Sequence, residues 1–199
     1  VWIFGEDPDN APGWIQQQIE NLFPQLCGST AQFSNQLAGP FCIAVGSPEN
    51  NRLIKESRAQ DLINLDDLGP EDFLLKCVIL NQVNTLVIAG RNDRAAVYGV
   101  FELFEQLGCT FLISRDVVPE TNPSITVPVL NIVRQTRCSW RGIFFGGFCF
   151  ATNSMMSLHD YEAMFDQMVK MKMNRIMFFH FENEPFIDYT FRGERKLVG

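Results

Sequence analysis

The sequence predicts an α/β protein in two parts: an N-terminal mixed-sheet α/β sandwich domain and, behind it, one β-α-β unit. Three observations predict this. Short apolar runs such as Phe41 to Val45 and Thr85 to Ala89 alternate with stretches whose apolar residues recur at three and four residue spacing, so strands alternate with helices. Asp72 to Leu80 and Thr85 to Ala89 are joined through the turn-prone Asn81 to Asn84, too short for a crossover, which places an antiparallel pair in the first sheet. Finally, the apolar run Ile143 to Phe150, a helical stretch beginning at Ser157 and a second apolar run Ile176 to Phe181 follow one another as strand, helix and strand. Such a unit is parallel.

Taken in order, Val1 to Phe4 is a short strand closed by Gly5 and a turn-forming acidic segment. Pro12 near a first turn, then Trp14, Ile15, Ile19, Leu22 and Phe23 at helical spacing, predict a helix from about Ala11 to Phe23 that ends near Pro24. Trp14 is expected to face the core, not to serve as a sugar platform. Phe41 to Val45 is the second strand, and Asn50 to Leu65 holds a short helix. After the strand pair comes the clearest helix of this half. Ala96, Val97, Val100, Phe101, Phe104 and Leu107 form its apolar stripe, Asn92 or Asp93 caps it, and Gly108 stops it ahead of a short strand from Cys109 to Ile113. Pro119 to Pro128 has the composition of a linker. The division expected is therefore a domain over 1–118, a linker over 119–139, and the β-α-β region over 140–199. In that last region Leu158, Tyr161, Met164, Phe165, Met168 and Val169 make a helical stripe, and Ser157 with Asp160 makes a carboxylate form of the capping box.

Composition narrows the function classes. A hydrophobic content of 46% and a charged content of 20% over 199 residues suit a globular protein with a sizeable core. The formal net charge is −7 and the basic residues do not cluster, so a nucleic-acid partner is not expected. No apolar run approaches the roughly 18 to 20 residues of a membrane-spanning helix. The chain begins at Val1 without a methionine, which suggests a processed or cut N-terminus and leaves the compartment open. The six cysteines, Cys27, Cys42, Cys77, Cys109, Cys138 and Cys149, are scattered and several lie in apolar runs; free thiols are expected.

The strand Ile176 to Phe181 carries the candidate chemistry. Side chains alternate along a strand, so Ile176, Phe178, His180, Glu182 and Glu184 share one face, and the last three fall at its carboxyl end, where parallel α/β architectures place their sites. The competing reading is an ordinary solvated strand end. A metal site is not expected, because His180, Glu182 and Glu184 offer three ligands with no supporting spacing. Nor is a nucleotide site at Gly90: the segment has neither G-x-G-x-x-G nor G-x-x-x-x-G-K-S/T, and no cofactor is expected.

Two motifs carry a family resemblance. Gly69 to Leu112, with a strand pair followed by D-R-x-x-x-Y-G-x-x-x-L-x-E-x-L-G over Asp93 to Gly108, resembles the N-terminal α/β domain that precedes the catalytic barrel in α-glucuronidases and β-hexosaminidases. Downstream, W-R-G-I-F-F from Trp140 and K-M-K-M-N-R-I-M-F-F from Lys170 resemble the opening of those barrels, with R-G at the first strand and K-x-N before the second. The resemblance implies that the β-α-β unit is the start of a truncated (β/α)8 barrel and that Tyr98 and Gly99 are packing residues. It implies an exo-acting glycoside hydrolase whose substrate is a carbohydrate of uronic acid or hexosamine type, with Arg141, His180, Glu182 and Glu184 lining the sugar pocket. The run Phe145 to Phe150 holds only Phe, Gly and Cys, unlike the Asp and Arg that β-hexosaminidases carry after R-G. A barrel takes about 250 residues, and Trp140 to Gly199 supplies about 60, so the catalytic carboxylates are expected outside this chain and the chain alone is expected to be inactive. The alternative is a non-catalytic carbohydrate-binding or structural module.

Overall fold

A computed structural model describes residues 1–5, 13–145, 156–178 and 189–196. Its centre is a five-stranded mixed sheet in the order β1-β2-β4-β3-β7. The strands are β1 (Trp2–Ile3), β2 (Phe41–Gly46), β3 (Phe73–Leu80), β4 (Val83–Gly90) and β7 (Asn131–Arg134). Pairing is parallel for β1 with β2 and β2 with β4, and antiparallel for β3 with both β4 and β7. The expected hairpin is present. Its tight turn is Asn81-Gln82, both with positive φ (49° and 65°), the backbone a two-residue hairpin loop requires.

The strands are continuous apolar runs because both faces of the sheet are covered. Trp2, Ile43, Val45, Leu75, Leu86 and Ile88 face α1 (Gly13–Cys27) and α3 (Asp93–Gln106); Ile3, Cys42, Ala44, Leu74, Val87 and Ala89 face α2 (Arg52–Ala59) and the loop carrying Ile63, Leu65 and Leu68. Asn51 ties one end of this second layer together. Buried and standing at the N-cap of α2, it accepts from Leu53 N (2.9 Å) and donates Nδ2 to Ile3 O (3.1 Å) and Val45 O (2.9 Å). On the other layer α3 lies very close to the sheet. A Cβ built on Gly99 would sit 2.5 Å from Cγ2 of Ile88, so the helix approaches at the distance that only glycine permits, and Tyr98 beside it is buried. The packing roles expected for Tyr98 and Gly99 are what these contacts describe.

Two expectations are corrected. Helix α1 does not end near Pro24 but continues to Cys27; proline removes only the bond to the exposed Glu20 carbonyl, while burial of Leu26 and Cys27 holds the last turn in place. The segment 119–139 is not a free linker. Thr121 Oγ1 donates to Gln25 O (2.7 Å), Asn122 N to Leu26 O (2.7 Å), Ile125 and Val127 pack on the core, and β7 pairs with β3 from Phe73↔Arg134 to Lys76↔Asn131. The prolines that mark a linker also hold a chain extended, and β3 has an open edge that such a chain completes. The α/β domain thus reaches Arg134. A short hairpin of β5 (Thr110–Leu112) and β6 (Arg115–Val117) follows α3, and its second strand, being mostly charged, has no apolar signature.

The later strands do not extend the main sheet. β8 (Gly142–Phe145) and β9 (Arg175–Phe178) pair with each other in parallel, in the register Gly142↔Arg175 to Phe145↔Phe178, with α4 (Leu158–Lys170) between them in the chain. A Cβ on Gly142 would lie 1.9 Å from the Arg175 carbonyl oxygen, so this pairing needs the glycine of R-G. The capping box of α4 forms as its sequence implies: Ser157 accepts from Asp160 N, and Asp160 Oδ2 accepts from Ser157 N (2.7 Å). A last hairpin, β10 (Tyr189–Phe191) with β11 (Glu194–Lys196), turns at Arg192-Gly193.

Candidate functional site

Of the four residues expected to line a sugar pocket, Arg141 is placed by the structure, while His180, Glu182 and Glu184 lie outside the described residues. Arg141 directly precedes β8, and Asn174 directly precedes β9, so both stand at the amino-terminal ends of two parallel strands. They meet there. Arg141 N donates to Asn174 Oδ1 (3.0 Å) and Asn174 N to Arg141 O (2.8 Å). All three guanidinium nitrogens are engaged: Nε donates to Lys172 O (2.7 Å), one terminal nitrogen to Cys138 O (2.8 Å) and the other to Glu71 Oε2 (2.6 Å).

Glu71, which the sequence did not single out, is the centre of this arrangement. It precedes β3 and is buried. Its Oε2 accepts from both Arg141 and Asn174 Nδ2 (2.7 Å), and its Oε1 pairs with Arg94 of α3 at 2.8 Å. Burial pushes the Glu71 carboxyl up, but hydrogen bonds from Asn174 and Arg141 and the charges of Arg141 and Arg94 outweigh it and hold the group below the usual glutamate range. Tyr98 completes the floor. Its hydroxyl donates to Met173 O (3.2 Å), and the Arg141 guanidinium carbon lies 5.8 Å from its ring centroid. Desolvation raises the phenol pKa, and the Glu71 charge raises it further. Next to Glu71, Asp72 accepts from Thr136 N and Gly69 N (both 2.7 Å); burial raises its pKa, but these two N–H groups carry it below the ordinary value.

Two more ion clusters lie on the same seam. Glu102, buried in α3, accepts from Arg134 Nε (3.1 Å) and a terminal nitrogen (2.7 Å) and pairs with Lys172 at 3.4 Å; Lys172 also binds Glu105. Burial opposes the Glu102 charge, yet the Arg134 hydrogen bonds and the Lys172 charge keep its pKa lowered. Asp116 of β6 takes Lys170 Nζ (2.6 Å) and Gln167 Nε2 (2.9 Å), which allows Lys170 to be buried. Trp14 leans on Phe101 at 5.9 Å and donates Nε1 to Asp166 Oδ1 (2.7 Å), so it too belongs to the seam. The ion pairs that cross the seam share one sense, although Arg94 and Arg134 also stand on the α/β side and Asp166 on the other. Glu71, Glu102, Glu105 and Asp116 come from the α/β domain, while Arg141, Lys170, Lys172, Gln167 and Asn174 come from the β8-α4-β9 unit. The residues of the two sequence motifs, Arg94, Tyr98, Arg141, Lys172 and Asn174, converge here as a docking surface. Carboxylates held ionised by paired donors are poor proton donors, so this seam is suited to positioning and not to acid catalysis. Among the described residues, no group of three or more His, Cys, Asp or Glu side chains gathers as metal ligands.

The described cysteines Cys27, Cys42, Cys77, Cys109 and Cys138 are free thiols, and burial with the Asp116 and Glu105 charges pushes Cys109 up to about 11.

A solved family GH115 4-O-methyl-α-glucuronidase, described as specific for decorated arabinogalactans, aligns over 89% of this chain with a TM-score of 0.64 and 17% sequence identity. At that identity the likeness is one of fold, and the chain covers 25% of the length of that protein. No curated protein matches the sequence. Residues 3–103, just over half of the chain, match the glycosyl hydrolase family 67 N-terminus. That match spans the sheet from β1 to β4 and most of α3, and it bears out the resemblance to an α-glucuronidase-like N-terminal domain: the chain belongs to the glycosyl hydrolase family 67 N-terminus family.

Proposed function

We propose that this chain is the N-terminal portion of an exo-acting glycoside hydrolase that cleaves O-glycosidic bonds to a sugar of uronic acid or hexosamine type. In this reading β8-α4-β9 opens a (β/α)8 barrel. The observation that carries it is the parallel pairing of the R-G strand with the K-x-N strand, in chain order and separated by one helix, directly behind a glycoside hydrolase N-terminal domain. Alignment to the glucuronidase over 89% of the chain, well past residues 3–103, also supports it.

The seam grips the amino-terminal ends of β8 and β9, so their carboxyl ends are left for chemistry, the end at which barrel enzymes build their sites. His180, Glu182 and Glu184 follow β9 at that end and bind sugar hydroxyls. Neighbours on one strand reach a sugar from one side, whereas acid and base flank the scissile bond, so the catalytic carboxyl pair comes from later strands of a longer polypeptide. Arg141, engaged at the opposite strand end, supports the sugar site from a distance. The 199-residue chain alone is inactive, and no cofactor takes part.

The test is to assay the full-length gene product and the chain separately on an aryl α-glucuronide and an aryl β-N-acetylhexosaminide. The full-length protein is expected to hydrolyse one of them and the chain neither. Glu182→Gln and Glu184→Gln are expected to lower kcat/KM with kcat kept within about tenfold, as removal of binding contacts does. Turnover by the isolated chain overturns the reading. Sugar binding by the full-length protein without hydrolysis of either glycoside favours a carbohydrate-binding module instead.

A further inference from the structure

We propose that Glu71 is the hub of an interdomain latch that sets the position of β8 and β9, which makes Arg141 and Asn174 positioning residues for the strand ends that carry the sugar site. The second half of that statement rests on the glycoside hydrolase reading; the latch itself does not.

One carboxylate oxygen accepts from the residue that opens β8 and from the residue that opens β9, at 2.6 and 2.7 Å. The other oxygen anchors on α3 through Arg94. The two opening residues are bonded to each other through backbone and side chain, and the fit of Gly142 against the Arg175 carbonyl leaves the pair no slack. Movement of either strand start therefore breaks a charge-assisted bond to a buried acceptor, the stronger class of hydrogen bond. Arg141 is a particularly exacting partner, because its planar fork reaches Lys172 O, Cys138 O and Glu71 at once, which the single ammonium of lysine cannot do.

The shared sense of the crossing ion pairs makes the latch selective. Acidic groups on the α/β side face basic and amide groups on the other, so an alternative docking of the β8-α4-β9 unit strips Glu71 of Arg141 and Asn174 and Glu102 of Lys172, and losing such bonds to buried carboxylates is costly. The outlying contacts, Lys170 with Asp116 and Lys172 with Glu102 and Glu105, flank the Glu71 hub and hold α4 and the K-x-N loop on the same surface.

The test uses hydrogen exchange on the whole 199-residue chain, comparing Glu71→Gln, Asn174→Ala and Arg141→Lys with Arg58→Ala, which removes only an exposed ion pair to Asp66. Exchange over 142–145 and 175–178 is expected to quicken at least tenfold in the first three variants, with β2 and β4 within about twofold of the parent and Arg58→Ala silent. Unchanged exchange at β8 and β9, or equal loosening of β2 and β4, overturns the latch. Asn174→Ala lies outside the main sheet and keeps the test decisive if Glu71→Gln does not fold. In the full-length protein, Arg141→Ala is then expected to lower kcat/KM more than tenfold with partial rescue in Arg141→Lys; an unaltered kcat/KM overturns the positioning role. An inactive full-length parent overturns the hydrolase reading and leaves the exchange result to decide the latch.

Discussion

Gly99→Ala tests the claim that α3 sits at a distance only glycine allows. The added methyl would lie 2.5 Å from Ile88 Cγ2, 3.4 Å from Phe73 Cδ2 and 3.7 Å from Leu75 Cδ1, all in side chains buried in the central core. A carbon pair prefers about 3.5 to 4.0 Å, so the first contact is at least 1 Å too close and the helix or the strand must shift. Overpacking of this severity costs about 2 to 3 kcal/mol, from which the better helix propensity of alanine recovers about 1 kcal/mol. The net loss is about 1 to 2 kcal/mol. For a chain of this size that lowers the melting temperature by about 2 to 8 °C, measurable by calorimetry or circular dichroism. A double-mutant cycle isolates the cause. Ile88→Ala removes the offending atom, so Gly99→Ala in that background is expected to be neutral or stabilising, and Gly13→Ala, whose methyl meets open space, to stay within about 0.5 kcal/mol of the parent. An equal cost of Gly99→Ala in both backgrounds, or no cost in the parent, refutes the close-approach argument.

Two further predictions follow from buried polar groups. Asn51→Ala removes the cap of α2 and leaves the Ile3 and Val45 carbonyls without that partner; a loss of about 2 to 4 kcal/mol is expected in urea denaturation, and Asn51→Asp is not expected to restore it, since a carboxylate cannot donate to either carbonyl. Stability is also expected to fall in acid. Glu71, Asp72 and Glu102 all have folded pKa values below their ordinary ones, so their contribution is complete above the usual carboxylate range of about 4 to 4.5 and disappears as pH falls through the lowered folded values. The basic groups that face them are Arg94, Arg141, Lys172 and Arg134, and exchange at β8 and β9 should rise before that of the central sheet. A melting temperature unchanged between pH 5 and pH 3 contradicts this.

What the sequence determined by itself is what depends on chain neighbours. The helices α3 and α4, the caps at Asn92 and Ser157, the hairpin of β3 and β4 and the parallel partners of the last unit all follow from spacing, capping chemistry and turn length, which act over a few residues. The R-G and K-x-N motifs were legible as well, and so was the D-R-x-x-x-Y-G helix. What they do was not. Tertiary structure alone decided that β7 closes the edge of β3, that charged β6 is a strand, and that Arg141 points to Glu71, 70 residues away, with Asn174 reaching the same carboxylate across 103. A glutamate ahead of a strand has the same local signature whether it meets water or a guanidinium. Long-range charge pairing has no period along the chain, and only the fold, by bringing the starts of β3, β8 and β9 to one point, gives Glu71 its partners.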